Sequence, residues 1–371
     1  MRIVHFADLH LDSRFAWCEA SGDVAKNRRE SLRATLRDIL QLARDERADA
    51  IFCGGDLYEA EYVTPDTASF LRESFAAIAP LQFFVAPGNH DYYAAGQCYA
   101  STNWSSNVHV FREPRMTRVT LRSGLTLWGA AHNKPAGTAN LLSNFRTAGD
   151  GVHLALFHGA ERGWFDEQGE GKALHAPFDA AEIERSGLHY AFLGHYHKPR
   201  DRDRHSYPGN PECLSFGEEG KRGVIVADVG GDGAVNVERI VVARTAVRDL
   251  EIDVTGCTSS TDILDRVAER TNGLGGIVRL LVKGEVDREV SIPSRQQIRE
   301  ATDACVEAVL VQSPTIRHAY DLDALAQSEL VVKRFVRNVR ADPELSPAEQ
   351  SQVIQVGLRA LDGRTDLGGA L

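Results

Sequence analysis

Seven side chains of the metal-binding type each sit just after a short apolar run: Asp8, His10, Asp56, Asn89, His158, His195 and His197. Asp8-Leu9-His10 closes the first run. Gly54-Gly55-Asp56 closes residues 50–53, and Pro87-Gly88-Asn89-His90-Asp91 closes residues 81–85. His158 follows residues 154–157, and Gly194-His195-Tyr196-His197 follows residues 190–193. A strand interior alternates faces and cannot aim Asn89, His90 and Asp91 at one spot, whereas a turn loosened by Gly88 can. Two carboxylates, four imidazoles and one amide oxygen exceed what one ion takes and suit two. Mixed nitrogen and oxygen donors fit Mn²⁺, Fe²⁺ or Zn²⁺ better than Mg²⁺ or Ca²⁺, which prefer all-oxygen cages. Asp8 and His10, like His195 and His197, are i, i+2 pairs that extended backbone projects to one side. The two oxygens of Asp56 suit it to bridge the ions. A lone histidine is usually a satisfied core or surface residue, but five such motifs at the ends of apolar runs are not explained that way. The remaining histidines lack this context. His132, which follows a strand into a loop, is the one left open.

These groups need a rigid scaffold, and the pattern of the chain supplies one. Residues 1–245 alternate strand and helix. Leu32, Leu36, Ile39, Leu40 and Ala43 recur at helical spacing within a helix expected over 28–47. Thr64 and Pro65 announce a second helix as N-cap and first-turn proline. The resulting β-α-β-α-β order predicts parallel pairing through right-handed crossovers. Short strands then flank a Ser123-Gly124 turn, and further strands over 152–157, 190–193, 223–229 and 235–242 complete a mixed sheet system. In open α/β sheets the functional crevice lies at the carboxyl ends of strands, where all five motifs fall.

Beyond residue 245 the chemical motifs stop. Residues 246–320 read as a small α/β domain, with strands over 250–254 and 277–282, helices over 262–270 and 295–309, and an extended stretch over 310–316. Residues 321–371 read as a helical segment. Leu325, Val332, Phe335, Val336 and Val339 stripe its first helix; Val353, Ile354, Leu358 and Leu361 stripe its second, which opens on a Ser346-to-Glu349 capping box. Packing on its own domain and docking of a partner helix both fit such faces.

The chain has 371 residues and a net charge of −10, spread evenly about residue 245 and without a basic tail. That argues against gripping nucleic acid through a broad basic face. Lys198, Arg200, Arg202 and Arg204 form a local candidate patch, and a solvated, self-compensating loop is the alternative. No apolar run approaches the ~18 residues that span a bilayer, and no export signal precedes the first strand, so a cytoplasmic protein is expected. The six cysteines are scattered and read as reduced thiols.

DLH, GGD, GNHD, the lone His158 and GHYH reproduce in order the signature of the calcineurin-like metallophosphoesterases, which this sequence resembles over residues 8–197. HFADLHLDS, GGDLYE and YAFLGHYHKP with YPGNPE and FGEEGKRG are similar to SbcD-type DNA-repair exonuclease subunits, as far as about residue 228. The resemblance implies an α/β fold in a four-layer α/β/β/α sandwich, with a small α/β cap domain and C-terminal helices. It implies two divalent ions, Mn²⁺ foremost. Asp8, His10, Asp56 and His197 would hold one, and Asp56, Asn89, His158 and His195 the other. His90 would be the catalytic histidine, contacting phosphate or protonating the leaving oxygen. Glu59, in the place where the wider superfamily keeps a carboxylate, would orient it, with Asp91 the other candidate. Some nuclease subunits carry histidine at the Glu59 position. The implied partners are DNA, an SbcC-like SMC-family ATPase and a second copy of the chain. A small-molecule phosphodiesterase or phosphatase on the same fold is the competing function, favoured by the acidic charge.

Overall fold

A computed structural model describes residues 1–18, 22–163, 174–304, 306–312, 315–320, 330–361 and 363. Cys305 and Leu325 lie outside the described residues, as do 321–329 and 364–371 of the expected helical segment and the side chain of Cys18. The chain divides into two compact units, Met1–Thr245 and Ala246–Leu371.

The first unit begins with β1 (Arg2–Phe6), α1 (Gly22–Asp45), β2 (Ala50–Cys53), α2 (Pro65–Ala77), β3 (Gln82–Val85), α3 (Cys98–Ser101) and β4 (Val108–Val110). It continues through β5 (Thr117–Arg122), β6 (Leu125–Gly129), β7 (Val152–His158), α4 (Ala181–Arg185) and β8 (Tyr190–Gly194). The strands β9 (Arg200–Arg202), β10 (His205–Tyr207), β11 (Gly223–Val229) and β12 (Val235–Val241) close it. One six-stranded sheet runs β12-β11-β1-β2-β3-β4 and a second runs β5-β6-β7-β8-β10-β9. The pairings β1–β2 and β2–β3 are parallel, as the β-α-β-α-β order requires. The β5–β6 pair closes antiparallel over the Ser123-Gly124 turn.

Phe52, Phe84, Leu127, Leu156, Phe192 and Ile225 form a buried core from residues of both sheets, so the sheets face one another. On its other side the first sheet buries Val4, Phe6 and Phe83 against Leu36, Ile39, Leu71 and Phe75 of α1 and α2. The outer face of the second sheet packs Ala155, Phe157 and Leu193 with Ile183 of α4 and with loop residues. The result is the expected four-layer α/β/β/α arrangement, with loops forming much of the last layer. Helix α2 starts where the sequence placed it, with Thr64 Oγ1 accepting from the Thr67 N–H and Pro65 in the first turn.

The second unit carries β13 (Val247–Asp253), α5 (Ser260–Thr271), β14 (Gly276–Asp287), α6 (Arg295–Ala301), β15 (Val306–Val311) and β16 (Thr315–Ala319). The long β14 pairs in parallel with β13 on one side; on the other it meets β15 along its first half and β16 along its second. The helix expected over 295–309 is shorter than that. It ends at Ala301, and residues from Val306 form β15. Three valines in six residues favour a strand there, and the extended stretch expected over 310–316 resolves into the end of β15 and the start of β16. Helices α7 (Leu330–Arg340) and α8 (Pro347–Leu361) pack through Val336, Ile354 and Leu358. The expected capping box is present: Ser346 N–H donates to Glu349 and the Glu349 N–H to Ser346 Oγ. No helix among the described residues is long and apolar enough to cross a membrane. Cys53, Cys98, Cys213 and Cys257 are buried and free.

Candidate metal centre

The first sheet delivers Asp8 and His10 after β1, Asp56 after β2 and Asn89 with His90 after β3. The second delivers His158 as the last residue of β7, and His195 with His197 just beyond β8. The two sheets meet in close contact where Gly54 and Gly194 lie back to back. A Cβ on either residue would run into the backbone of the other, so glycine is required at both. Across this contact the His195 N–H donates to both Asp8 oxygens at 3.0 and 3.1 Å, and His158 Nδ1–H donates to the Gly54 carbonyl at 2.9 Å.

The backbone is strained at the expected ligands. Asp8, His10, Asp56 and His195 have φ of 56, 51, 51 and 117°, a region that non-glycine residues rarely enter. Gly88 fits closely against the pair it serves, since a Cβ there would strike Asp56 Oδ1 and His158 Nδ1.

The donor atoms converge. Ligand atoms of Asp8, His10 and His197 lie within 4.8 Å of one another, as do those of Asp8, Asp56 and His158, and those of His10, Asp56 and His90. Two ligands ~2.1 Å from one ion, at angles of about 90–110°, stand roughly 3.0–3.4 Å apart. Asp56 Oδ2 to His158 Nε2 is 3.3 Å and His158 Nε2 to His195 Nδ1 is 3.2 Å. Asp56 Oδ2 is also 3.8 Å from His10 Nε2, which places one carboxylate between two groups of donors.

Two buried ligand atoms of the cluster have no hydrogen-bond partner: His10 Nε2 and Asn89 Oδ1. Buried polar atoms without partners are costly, and cations bound in the cluster would satisfy both. Burial raises the Asp8 carboxyl and lowers His195, while against burial His158, His10 and His90 hold Asp56 well below the usual carboxylate range. The donor set, its separations and its unsatisfied atoms therefore fit two divalent ions.

In His10, His90, His158 and His197 the Nδ1 nitrogen is fixed by an acceptor, and that sets the tautomer. His10 Nδ1 donates to Glu59 Oε1 at 2.7 Å, and His90 Nδ1 donates to Glu59 Oε2 at 2.7 Å. One carboxylate thus holds an expected ligand and the expected catalytic histidine. Burial opposes both charges. Even so, the two hydrogen bonds bring Glu59 down to about 2, and Glu59 with Asp56 pushes His90 up to about 9. Asp91, the other carboxylate considered for His90, is turned elsewhere. It is fully buried and accepts from the N–H groups of Asp56, Leu57 and Gly88 at 3.0, 2.8 and 2.6 Å and from the Tyr99 hydroxyl at 2.7 Å. It ties the β2 and β3 turns together as a loop-capping aspartate.

Glu218 had no role in the sequence reading. It accepts from the Nδ1–H of His197 at 2.7 Å, and its other oxygen accepts from Asn210 Nδ2 and the Leu214 N–H at 2.6 and 2.7 Å. These bonds, with the proton of His197, bring it down to about 2 against burial. The FGEEG run containing Glu218 was visible, but no local spacing ties it to a histidine 21 residues away. His132 has both nitrogens engaged, Nε2 with the His158 carbonyl and Nδ1 with the Thr138 hydroxyl, and so supports His158 from behind.

A cavity of about 1050 Å³ opens over the cluster, lined by Asp56, Asn89, His90, His195 and His197, with Lys198 and Arg222 at its side. Of the other residues in the basic run, Arg204 pairs with Glu184 at 2.9 Å and Arg202 lies 3.9 Å from Glu161. Arg200 sits on β9, and Asp201 beside it pairs with Arg239 at 2.7 Å. Much of the run is thus compensated locally.

The family described as calcineurin-like phosphoesterase matches the chain over residues 1–199. An uncharacterized metallophosphoesterase of Bacillus subtilis, YhaO, is 26% identical over 361 residues, covering 93% of this chain and 82% of the relative. The DNA double-strand break repair protein Mre11 of Aeropyrum pernix is 24% identical over 278 residues, covering 68% of this chain and 64% of that one. Among solved structures, TT1561 of Thermus thermophilus aligns with 64% of this chain and 98% of its own at 14% identity and a TM-score of 0.37. An archaeal phosphodiesterase aligns with 65% and 100% at 12% identity and a TM-score of 0.34.

Proposed function

The chain belongs to the calcineurin-like phosphoesterases, and from that premise we propose that it is a Mn²⁺-dependent DNA nuclease subunit of the SbcD type. In this reading Asp8, His10, Asp56 and His197 hold one ion, and Asp56, Asn89, His158 and His195 hold the other. Bound there, the ions supply Lewis acidity toward a phosphodiester and make a water more acidic. Glu59 and Glu218 keep His10 and His197 in the tautomer whose Nε2 lone pair is available. With its Nδ1–H held by Glu59, His90 presents Nε2, from which, when protonated, it contacts the phosphate or protonates the leaving oxygen. Asp91 keeps the turns bearing Asp56 and His90 in register.

The observation that carries hydrolysis is the convergence of unpartnered donor atoms beside a histidine already oriented by a carboxylate. DNA as the substrate is supported by the similarity to a protein named for double-strand break repair and by the size of the cleft. We place the protein in the cytoplasm as a homodimer working with an SMC-like ATPase, to which α7 and α8 would dock.

A second reading, hydrolysis of a small phosphodiester or phosphomonoester, draws on the net charge of −10 and on the compensated basic run. One assay separates the two. Wild type and His90→Asn are given a labelled DNA hairpin and a chromogenic bis-phosphodiester with Mn²⁺, Mg²⁺ or chelator. Mn²⁺-dependent cleavage of both substrates is expected, with DNA cleavage lost in His90→Asn and the ester, whose leaving group needs no proton, reduced far less. Cleavage of the small ester alone, with the ATPase present, would overturn the nuclease reading in favour of the second.

A further inference from the structure

We propose that a second cavity beside His90 is the subsite for the base on the leaving-group side of the scissile bond, with Tyr62 and Arg14 as its stacking platform. This rests on the nuclease reading and specifies how that site holds its substrate. The cavity has a volume of about 450 Å³, and its walls include Arg14, Glu59, Tyr62, Asn89, His90 and Tyr92. It shares Asn89, His90 and His175 with the larger cavity but not Asp56, His195 or His197, which line only the larger one. A general acid must stand beside the oxygen it protonates. The space that touches His90 and Glu59 while lying clear of those three expected ligands is therefore the leaving-group side.

The walls suit a flat aromatic group. Tyr62 is 41% exposed, unusual among the described large rings of this unit. Its N–H donates to the Glu59 carbonyl at 3.0 Å, which fixes the platform to the residue that orients His90. The Arg14 guanidinium lies over the Tyr62 ring, 5.4 Å from its centroid, and makes no ion pair or hydrogen bond among the described residues. A guanidinium over one face of an aromatic ring extends the stack and adds positive charge next to a phosphate chain. Bases of any sequence stack on such surfaces, so the subsite would hold single-stranded DNA without reading it.

The test uses the Mn²⁺-loaded protein and three deoxydinucleotides: intact, abasic on the 5′ side, and abasic on the 3′ side. Each is measured as an inhibitor of chromogenic bis-phosphodiester hydrolysis by wild type, Tyr62→Leu and Arg14→Gln. Stacking of one base corresponds to roughly tenfold in affinity. In wild type one of the two abasic forms should bind roughly tenfold more weakly than the intact dinucleotide. Tyr62→Leu should abolish that difference and Arg14→Gln should reduce it. Equal inhibition by all three forms in wild type, or full discrimination retained in Tyr62→Leu, would overturn the subsite. A protein that cleaves the chromogenic ester but no DNA refutes the nuclease reading, and the inhibition constants still decide the subsite.

Discussion

Replacing Glu59 by glutamine tests whether one carboxylate serves both the metal centre and the acid. Glu59 accepts from His10 and His90 with one oxygen each, at 2.7 Å. Glutamine keeps the size but has one acceptor oxygen and one donor nitrogen, so it satisfies one ring and presents an N–H to the other. A hydrogen bond to a charged group is worth about 1.5–3 kcal/mol, which is about 10- to 150-fold. If His90 loses its acceptor, the penalty falls on substrates whose leaving oxygen needs a proton. Cleavage of DNA should drop about 100-fold, while an ester releasing nitrophenolate should drop about tenfold or less. If His10 loses its acceptor, Mn²⁺ affinity should fall about 10- to 100-fold by titration calorimetry. The decisive measurement is a double-mutant cycle with His90→Asn at saturating Mn²⁺. Residues acting as a unit are non-additive, so adding Glu59→Gln to His90→Asn should cost little further activity on DNA. Full additivity, with equal losses on both substrates, would refute the reasoning.

Glu218→Ala should weaken Mn²⁺ binding about 10- to 100-fold by freeing His197, and calorimetry at neutral pH checks it. Gly88→Ala should force Asp56 and His158 apart; the expected result is loss of bound metal by elemental analysis in a protein that remains folded by circular dichroism. His5 is fully buried against Phe192, and burial lowers it to about 3. Above its ordinary value of 6.5 this has no effect on stability, but as the pH falls below that value the unfolded chain takes a proton that the folded one refuses. Urea unfolding in chelator should therefore show the stability of wild type falling relative to His5→Phe by about 2 kcal/mol between about pH 7 and about pH 5. A constant gap would contradict it.

How much of this was legible depends on range. The strand-end positions of Asp8, Asp56, Asn89, His158 and His195 follow from apolar runs and turn residues within a few positions of each, and the sequence places them. The Thr64 and Ser346 caps are equally local. The role of Glu59 was implied by the resemblance to the wider superfamily, but its second bond, to His10, spans 49 residues and has no periodicity behind it. Asp91 stands next to His90 in sequence, yet its carboxylate turns to three backbone N–H groups that only the folded turns bring together. Glu218 depends on the chain returning through Asn210 and Leu214. The early end of α6 is of another kind: the helix expected over 295–309 gave way, from Val306, to the strand preference of the valines in β15.

The back-to-back contact of Gly54 with Gly194 also bears on when the protein becomes active during its life. The first sheet contributes Asp8, His10, Asp56 and Asn89, the second contributes His158, His195 and His197, and Asp8 reaches His195 across 187 residues of chain. A chain emerging from the ribosome can complete its first three parallel strands long before His195 is made, and in that interval it has only half of a metal centre. Hydrolytic capacity is therefore tied to completion of the sandwich. A molecule that has not yet joined its two sheets therefore lacks the complete donor set.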